Sequence, residues 1–569
     1  MQLTAFARLR PGVPFLAATA GAALGLAAAA LQAQPERTFI DTVDVQVVEV
    51  DVVVTDRDGR PVGGLTRDDF ELYVDGQRVE ITNFFESETL REPARPADRP
   101  ATPAQGPVAE EPAPLTVALY LDDANLFPPY RTRLLRRLEK AAESWRSLNA
   151  RFLLARFENR LEIVVRPTED LDEILAAASE RRKGMARAVQ NQRSRQMAIL
   201  DLNRNNRDCQ NIGQLLGIAA THASEQGTRA AVAIDGLADL TSTLAGTPGK
   251  KAIVYVSDGP PQQPGLSVFQ YIADDLCPND PSIVSEVNSA AQQYDETRRF
   301  QQISAHANAN RVTFFMLDAA GIRSGLSQSM SFDGGARPSF QNDRLHWTNV
   351  QGGLHQLASE TGGKALLNSN DLADLLQDVT DQLATSYSLG FSPDRQRSGE
   401  VSGLRVELAP HAARGRGVEY RRSYRDKTRD ERLGEELVSA AYLGNASNPL
   451  GAMIRVGATT PQEKNVHRLP VTIVVPEAAV LTVPGPNGEA GMLRLLLLAV
   501  DRNRRGRTPV RQMTVPVGSA GDVQATAGAY RFEVSVSLNE GDWHVVAGVR
   551  DETSGEMSLV RDAAQVPTW

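Results

Sequence analysis

The chain has 569 residues, 41% of them hydrophobic, and a formal net charge of −9. This length and apolar content are enough for several buried cores, in about three or four domains of ordinary size. The acidic balance, with a pI near 5.5, provides no overall basic field for nucleic acid. We therefore expect no nucleic-acid partner.

The first 33 residues have the pattern of a secretory signal peptide. Arg8 and Arg10 precede an apolar stretch rich in alanine, leucine and glycine, and small residues follow up to Ala33. Cleavage after Ala33, or a few residues earlier, fits this pattern. No later stretch of the sequence is apolar for long enough to cross a bilayer. The sequence therefore predicts an exported protein, periplasmic or secreted, with no membrane span in the mature chain.

Residues 38–90 alternate valine with acidic residues and contain Asp-Gly pairs at positions 58–59 and 75–76. This alternation and these turns are typical of antiparallel strands with one buried face. We predict a small β-sandwich module here. Residues 91–114 are rich in proline, alanine and charge, which indicates an extended linker.

From Leu115 onward, continuous apolar runs replace the alternating ones. They cover residues 115–123, 150–158, 250–259 and 310–319. Such runs are typical of parallel strands that are covered by helices on both faces. The stretches between them have helical patterns, so residues 115–425 are predicted to form an α/β domain with a doubly wound, mostly parallel sheet. Ligands bind such sheets at the carboxyl ends of the strands.

Two segments of this domain, 183–225 and 262–300, are longer than a simple crossover requires. Each contains one of the two cysteines of the chain, Cys209 and Cys277. In an oxidising compartment these residues can form one disulfide, and two separate thiols are the alternative. We interpret the segments as insertions on one side of the sheet.

The remainder of the chain is predicted to be largely β-structure. Three strand-like pieces end the α/β domain near residue 425 and indicate an antiparallel β-extension of it. Residues 426–465 form a helical connector, and residues 466–569 repeat short alternating strands with turn residues between them. This last pattern predicts a C-terminal β-sandwich.

Four acidic side chains stand at the ends of the predicted parallel strands: Asp122, Asp123, Asp258 and Asp318. An edge so rich in oxygen suits a hard divalent cation such as Mg²⁺, which takes about six oxygen ligands. The alternative is that the acids only end their strands at a solvated crevice. Both interpretations remain open at this point.

Several stretches resemble one known family. They include "VVEVDVVVTDRDGRPVGGLTRDDFELYVDGQRVEITNF", "GKKAIVYVSDG" and "ANANRVTFFMLDAAGIRSG". Over about residues 40–425 the chain resembles the bacterial von Willebrand factor type A-related proteins that are abundant in Acidobacteria. The resemblance implies an α/β domain with a metal-dependent adhesion site. In that family the first strand ends in Asp-x-Ser-x-Ser, a Gly-Thr loop supplies a threonine, and a later strand ends in an aspartate.

The resemblance also implies a set of metal ligands: Asp122, Asp123, Asn125, Thr228 and Asp258. The match to the family's motif is incomplete. If Asp122 is the first aspartate, Ala124 and Leu126 take the two serine positions, and neither side chain has an oxygen. If Asp123 is the first, Asn125 takes one serine position and Phe127 the other. The resemblance therefore implies a degenerate site, which either holds Mg²⁺ weakly or holds no metal, and it implies no other cofactor.

Sequence motifs for catalysis are missing. The chain has no G-x-S-x-G and no H-E-x-x-H motif, and "GTPGKKA" at 246–252 departs from a phosphate-binding loop at two positions and is interpreted as a turn. We therefore predict a protein with no catalytic residues. An exported, non-enzymatic binding protein is the preferred hypothesis, and it contacts an unidentified protein through the carboxyl-end crevice.

Two alternatives remain. One is a hydrolase that uses Asp122, Asp123 and Asp258 around a metal-activated water. The other is an envelope scaffold. Aromatic residues and prolines at the predicted crevice, in segments 125–130 and 259–265, suit either protein contact or turn formation.

Overall fold

The computed structural model describes residues 47–87, 115–180, 186–278, 280–321, 337–368, 372–393, 399–444, 447–485, 488–502 and 506–567. The predicted signal peptide (1–33) and the whole of the predicted linker (91–114) lie outside the described residues. The chain is a mixed α/β protein, as predicted. In the described ranges, no helix is both long enough and apolar enough to cross a membrane.

The strands, in chain order, are β1 (Val48–Thr55), β2 (Phe70–Val74), β3 (Gln77–Val79), β4 (Asn83–Ser87), β5 (Leu115–Leu121), β6 (Ala150–Phe157), β7 (Leu161–Thr168), β8 (Lys251–Ser257), β9 (Val312–Asp318), β10 (Ala365–Leu366), β11 (Ser386–Phe391), β12 (Val401–Leu408), β13 (Gly417–Tyr420), β14 (Ser423–Arg425), β15 (Met453–Val456), β16 (Thr460–Glu463), β17 (Val466–Pro476), β18 (Val483–Gly485), β19 (Gly488–Asp501), β20 (Arg511–Val517), β21 (Ala529–Asn539), β22 (Gly541–Asp551) and β23 (Met557–Val566). The α-helices are α1 (Pro128–Arg146), α2 (Leu171–Ser179), α3 (Ala186–Asn205), α4 (Ile212–Leu244), α5 (Leu266–Gln270), α6 (Pro281–Gln292), α7 (Thr297–Ala309), α8 (Phe340–Glu360), α9 (Leu372–Ala384) and α10 (Arg429–Leu443).

The N-terminal strands form a sandwich together with strands from much later in the chain. One sheet has the order β13-β1-β11-β4 and the other β14-β12-β2-β3. Both are built from antiparallel pairs. Tyr387 on β11 lies in the shared core, and its hydroxyl donates to the Val62 carbonyl at 2.8 Å. The sequence patterns predicted these strands in two separate units, 38–90 and the end of 115–425. Alternation identifies a buried face, but it does not identify the partner strand.

The predicted turn at positions 75–76 joins β2 to β3. Asp75 has φ 48° and Gly76 has φ 81°, both in the left-handed region. A two-residue hairpin with positive φ at both positions matches the right-handed twist of its strands. The Asp-Gly pair therefore fixes this hairpin locally.

The central sheet has the order β10-β9-β8-β5-β6-β7 in the described part of the chain. All neighbours are parallel except the edge strand β7, which runs antiparallel to β6. Side chains of β5 alternate between two buried clusters. One cluster lies against α1, α2 and α9, and the other against α4, α7 and α8. This two-sided cover explains why the strands are continuous apolar runs.

The two predicted insertions meet over one shared core. Helix α4 has 33 residues, and its first half packs with α3, α5 and α6, whereas its second half packs on the central sheet. Cys209 and Cys277 are joined in a disulfide. Arg195 on α3 also forms a buried ion pair with Asp343 on α8, at 2.8 Å. The disulfide thus joins the two insertions to each other, and helix α4 and the ion pair with α8 join them to the rest of the domain.

Helix α10 lies between the central domain and the C-terminal sandwich. Its Leu437 and Val438 pack against β19 and β22, and its backbone at Glu436 lies against Gly246 in the turn before β8. A Cβ atom at Gly246 would come within 2.4 Å of that backbone, so this approach requires glycine. "GTPGKKA" is therefore a turn here, as expected from its sequence.

The C-terminal unit consists of two antiparallel sheets around one core. The first contains β15, β16, β17 and β21, and the second contains β18, β19, β20, β22 and β23. Because β15 pairs with β17, this unit begins at Met453, inside the segment that was assigned to the connector. Trp543 lies in the core, with its indole N–H donating to the Asn539 carbonyl at 2.9 Å.

Candidate functional site

Asp122 lies at the carboxyl end of β5, and its carboxylate is fully buried. Tyr255 Oη donates to Asp122 Oδ2 at 2.6 Å, and Ser257 Oγ donates to the same oxygen at 2.8 Å. The Asn125 amide lies 3.2 Å from Oδ1 and 3.0 Å from Oδ2. Three side chains of the protein therefore engage both oxygens of this carboxylate.

The strand geometry places these donors. Tyr255 and Ser257 lie two residues apart on β8, so their side chains share a face of the sheet. β8 is the neighbour of β5, and the Asp122 N–H donates to the Val256 carbonyl at 3.0 Å. The Tyr120 ring stacks on the Tyr255 ring with centroids 5.3 Å apart. Asn125 is brought back by the tight turn after β5, in which its N–H donates to the Asp122 carbonyl at 3.0 Å.

Burial raises the pKa of Asp122 above its ordinary value. The hydrogen bonds from Tyr255, Asn125 and Ser257 act in the opposite direction, because they stabilise the ionised form. Burial also raises the pKa of Tyr255 well above its ordinary value, so the phenol keeps its proton and acts as a donor. The network is a buried carboxylate that is stabilised by neutral donors.

Asp123 points to a different set of partners. Its Oδ1 accepts from Arg131 Nε at 2.9 Å, and its Oδ2 lies 3.9 Å from Arg156 Nε. Both arginines also donate to carbonyls at the end of α2, at Ala177 and Ala178. Cations are favourable at a helix C-terminus. Asp123 therefore ties α1, α2 and β6 together.

Asp258 and Asp318 lie at the ends of the next two strands, as the sequence predicted. The Phe127 N–H donates to Asp258 Oδ2 at 3.2 Å. Asp318 is buried and accepts from the Ala320 N–H at 3.0 Å and from Gln351 Nε2 at 3.1 Å. Each carboxylate thus caps a turn or holds a neighbouring helix.

Thr228 does not lie in a loop. It stands inside the long helix α4, is exposed to solvent, and donates to the Ser224 carbonyl of its own helix at 2.9 Å. The family's motif places a threonine on a Gly-Thr loop. Here Gly227 and Thr228 are part of a continuous helix, because the insertion extends α4 toward its N-terminus.

The residues proposed as metal ligands do not fit a Mg²⁺ centre. Asp122 is closed off by three protein donors, Asp123 faces two arginines, and Thr228 bonds its own helix. Among the residues that the structure describes, no group of three or more His, Cys, Asp or Glu side chains is arranged to hold a metal ion. Mg²⁺ needs about six oxygens in near-octahedral geometry, and these side chains do not offer them.

Beside the carboxylates, the start of α1 presents an aromatic surface that we call the α1 rim (Phe127, Pro129 and Tyr130). Pro129 is exposed and the two aromatic rings are half-buried. The rings form an edge-to-face pair with centroids 5.2 Å apart, and the Arg133 guanidinium lies 5.2 Å from the Tyr130 ring centroid. Arg133 also donates to the Ala319 and Ala320 carbonyls after β9.

The second segment suggested for partner contact, 259–265, is mostly packed. Pro260, Pro261 and Pro264 are buried. The segment lies against α8, where the Gln262 N–H donates to the Asn349 carbonyl at 3.4 Å. Its prolines therefore form a packed turn.

The donors of this site were not predicted from the sequence. Tyr255 and Ser257 stand in an apolar run and Arg131 in a basic helix segment, so neither pattern suggested a polar network. The spacing of Tyr255, Ser257 and Asp258 along the sequence was the one signal that could have indicated these donors. Tyr255 and Ser257 share one strand face and precede an aspartate at the strand end, beside the strand that ends in Asp122.

No protein-family model matches the sequence, and no curated protein matches it. Solved structures give weak similarities. A structural-genomics target named SoR45 has 16% identity and a TM-score of 0.15, over 22% of this chain and 90% of that chain. The conserved hypothetical protein BatB from Bacteroides thetaiotaomicron has 10% identity and a TM-score of 0.20, over 48% and 98%. The minor pilin PilB from Streptococcus sanguinis has 9% identity and a TM-score of 0.24, over 60% and 88%. Similarities this low carry no argument about this chain.

Proposed function

We propose that this chain is an exported, non-enzymatic protein-binding protein that contacts its partner through the α1 rim without a metal ion. We also propose that its central domain is a doubly wound sheet of the von Willebrand factor type A kind. Support for the fold comes from the parallel strands β5, β6, β8, β9 and β10 with helices on both faces. Export rests on the signal-peptide pattern of residues 1–33.

The observation that carries the binding proposal is the closed carboxylate of Asp122. Its oxygens accept from Tyr255, Ser257 and Asn125, so protein donors fix the turn that leads into α1. A rigid turn holds the α1 rim in one arrangement before any partner arrives. Binding then costs less conformational entropy, which favours affinity.

The chemistry of the α1 rim suits a protein partner. Tyrosine, phenylalanine and arginine are enriched at the centres of protein interfaces, where rigid rings supply contact area. Tyr130 and Phe127 present their rings beside the Arg133 guanidinium. The Arg133 bonds to Ala319 and Ala320 hold this surface against the end of β9.

The hydrolase alternative receives no support from the positions of its three acids. Asp122 is buried under neutral donors, Asp123 is paired with Arg131, and Asp258 accepts from the Phe127 backbone. A general base must reach the proton that it removes. Asp122 and Asp123 instead form contacts that stabilise the fold.

A capture experiment with the mature protein tests the proposal. The tagged wild-type chain, a Phe127→Ala/Tyr130→Ala variant and a Phe85→Ala control are incubated with envelope proteins of the producing cell, with and without a chelator. Phe85 is 55% exposed on the N-terminal sandwich, so it is a matched exposed aromatic residue outside the α1 rim. Bound proteins are identified and quantified by mass spectrometry.

We expect the rim variant to lose roughly tenfold or more of the specific capture, as for an interface hot spot. The control should retain it, and the chelator should have no effect. Equal capture by the rim variant, or loss of capture with the chelator, would contradict the proposal.

A further inference from the structure

A lysine, an asparagine and a glutamate from three parts of the chain meet beneath α10. Asn310 caps the C-terminal end of α7, immediately before β9. Lys427 lies between β14 and α10, and Glu435 lies on α10. Lys427 Nζ contacts Asn310 Oδ1, and it donates to Glu435 Oε1 at 2.6 Å. One ammonium group therefore touches a carboxamide and a carboxylate at once.

The lysine and the asparagine of the cluster are shielded from water, and the Glu435 side chain is 26% exposed. The Lys427 side chain is 8% exposed and Asn310 is 3% exposed. The carboxamide is also oriented, because Asn310 Nδ2 donates to the His306 carbonyl at 2.7 Å. This bond turns the amide oxygen, and with it the carbonyl carbon, toward Lys427.

This arrangement contains the reactants for amide exchange. A neutral amine can attack a carboxamide carbon, form a new amide and release ammonia. The reaction needs a deprotonated amine, an oriented amide, a group that carries protons, and a dry environment. Proximity of this kind can be worth several kcal/mol of barrier.

We propose that Lys427 and Asn310 form an intramolecular isopeptide bond, with Glu435 as the proton carrier. The proposal is independent of partner binding at the α1 rim, because it rests on a different set of residues. The resulting cross-link would be a covalent modification of the mature chain.

The proposed reaction exchanges one amide bond for another. Glu435 takes a proton from the Lys427 ammonium, and the neutral Nζ attacks Cγ of Asn310. The bond between Nζ and Cγ forms, a second proton leaves Nζ, and the bond between Cγ and Nδ2 breaks. Nδ2 gains both the proton that Glu435 carried and the second proton from Nζ, and departs as ammonium, which leaves Glu435 as a carboxylate again. No oxidant, reductant or co-reactant is required.

The surroundings favour the neutral amine. Burial lowers the pKa of Lys427, Glu435 opposes that shift, and the nearby Arg425 adds to it. His306 faces the same asparagine, with Nδ1 3.4 Å from Asn310 Nδ2. Burial lowers the pKa of His306 as well, so its ring is neutral at pH 7 and can accept from the amide that leaves.

The bond would join parts of the molecule that are otherwise held together by non-covalent contacts, such as the hydrogen bonds of Ser439 on α10 with Gly246 and Thr243. Asn310 belongs to the central domain, and Lys427 starts the segment that carries α10 and the C-terminal sandwich. The two residues are 117 positions apart. A covalent bond that closes so long a loop lowers the conformational entropy of the unfolded chain.

Peptide mapping of the mature, reduced and trypsin-digested protein tests the proposal. Lys427 in an isopeptide bond resists trypsin, so we expect a branched peptide in which residues 300–311 are joined to residues 426–429, lighter than the sum of the two by one ammonia. Cyclisation of an N-terminal Gln34 also releases ammonia, but it yields no branched peptide. If residues 300–311 appear only as a linear peptide and the wild-type chain is cleaved after Lys427, the proposal is overturned.

Variants identify the residues that take part. Lys427→Met, Asn310→Ala and Glu435→Gln should each lack the branched peptide, while circular dichroism checks that they fold. Asn310→Asp should restore a branched peptide with release of water in place of ammonia. Lys364→Met is the matched control, because Lys364 pairs with Asp378 in a half-exposed contact. A branched peptide that persists in Lys427→Met would also overturn the proposal.

Discussion

Tyr255 Oη donates to Asp122 Oδ2 at 2.6 Å and thereby joins the ends of two neighbouring parallel strands. Asp122 is the residue that sequence patterns single out as a metal ligand, and this hydrogen bond gives it a structural role. A buried carboxylate needs several donors to offset its desolvation. Tyr255, Ser257 and Asn125 supply them at the place where the chain turns from β5 toward α1.

Replacing Asp122 by alanine tests this structural role. The change leaves the buried donors of Tyr255 and Ser257 without their acceptor, so we expect the free energy of unfolding to fall by about 3 kcal/mol. The Asp122→Asn variant keeps an acceptor oxygen, so its free energy of unfolding should fall by less. Urea unfolding measures both, and Asp201→Ala is the control because Asp201 forms an exposed ion pair with Arg204. An Asp122→Ala loss no larger than that of the control would contradict this role.

The sequence predicted the strand ends but not what surrounds them. Continuous apolar runs placed Asp122, Asp258 and Asp318 at one edge, because such runs are typical of parallel strands covered on both sides. The spacing of Tyr255 and Ser257 puts both donors on one strand face, but their contact with Asp122 depends on the register between β5 and β8, which no local pattern encodes. Thr228 was misplaced for a related reason, since the insertion lengthens α4 and a glycine inside a helical pattern resembles a loop.

Long-range pairing was the other feature that the sequence left open. The strand that contains Asp51 pairs with strand β11 at Ser388, more than three hundred positions later. Both segments alternate and both were predicted as strands. Antiparallel partners cannot be matched by alternation, because every such strand offers one apolar face. The local hairpin at Asp75 and Gly76 was predictable, because its turn is specified by two adjacent residues.

The ion pair between Arg195 and Asp343 gives a second prediction. The two side chains are 8% and 0% exposed, and Arg195 also donates to Asn342 Oδ1 at 2.6 Å. Arg195→Met keeps the apolar stem but removes the charge that compensates Asp343. We expect a loss of about 3 kcal/mol in unfolding free energy.

Arg204→Met on the same helix is the matched control. Its ion pair with Asp201 is 71% and 54% exposed, and exposed pairs contribute at most about 1 kcal/mol. Thermal and urea unfolding of both variants measure the difference. Similar losses for the two variants would show that burial does not decide the value of these pairs.

The disulfide between Cys209 and Cys277 should stabilise the insertion. It spans 68 positions, and the chain-entropy model gives about 4 kcal/mol for a loop of that length. A Cys209→Ala/Cys277→Ala variant should therefore unfold at a lower urea concentration, and limited proteolysis should cut first within residues 186–225 or 262–294. Unchanged unfolding and proteolysis would show that the shared apolar core holds the insertion without the bridge.

Lys251 gives the stability of the protein a specific dependence on pH. Its side chain is buried and donates to the Thr247 carbonyl at 2.9 Å. Burial, followed by repulsion from Arg311 and Lys427, lowers the pKa of Lys251 from 10.5 to about 7, while Glu435 and Asp51 act in the opposite direction. Because burial is the largest cause, the pKa of Lys251 is lowered whether or not Lys427 carries a charge.

The sign follows from the protons bound in each state. Between pH 7 and 10.5 the unfolded chain holds a proton on Lys251 that the folded chain has lost, so the free energy of unfolding rises with pH in this window. We expect a gain of about 2 kcal/mol between about pH 7 and about pH 9. The Lys251→Met variant should lack this part of the pH dependence and should be more stable than the wild type at pH 7. The control is Lys250→Met, at the adjacent position, which should retain the pH dependence of the wild type. If wild type and Lys251→Met show the same pH profile by urea unfolding, Lys251 keeps its proton in the folded protein and the ammonium is accommodated by the carbonyls at the end of α4.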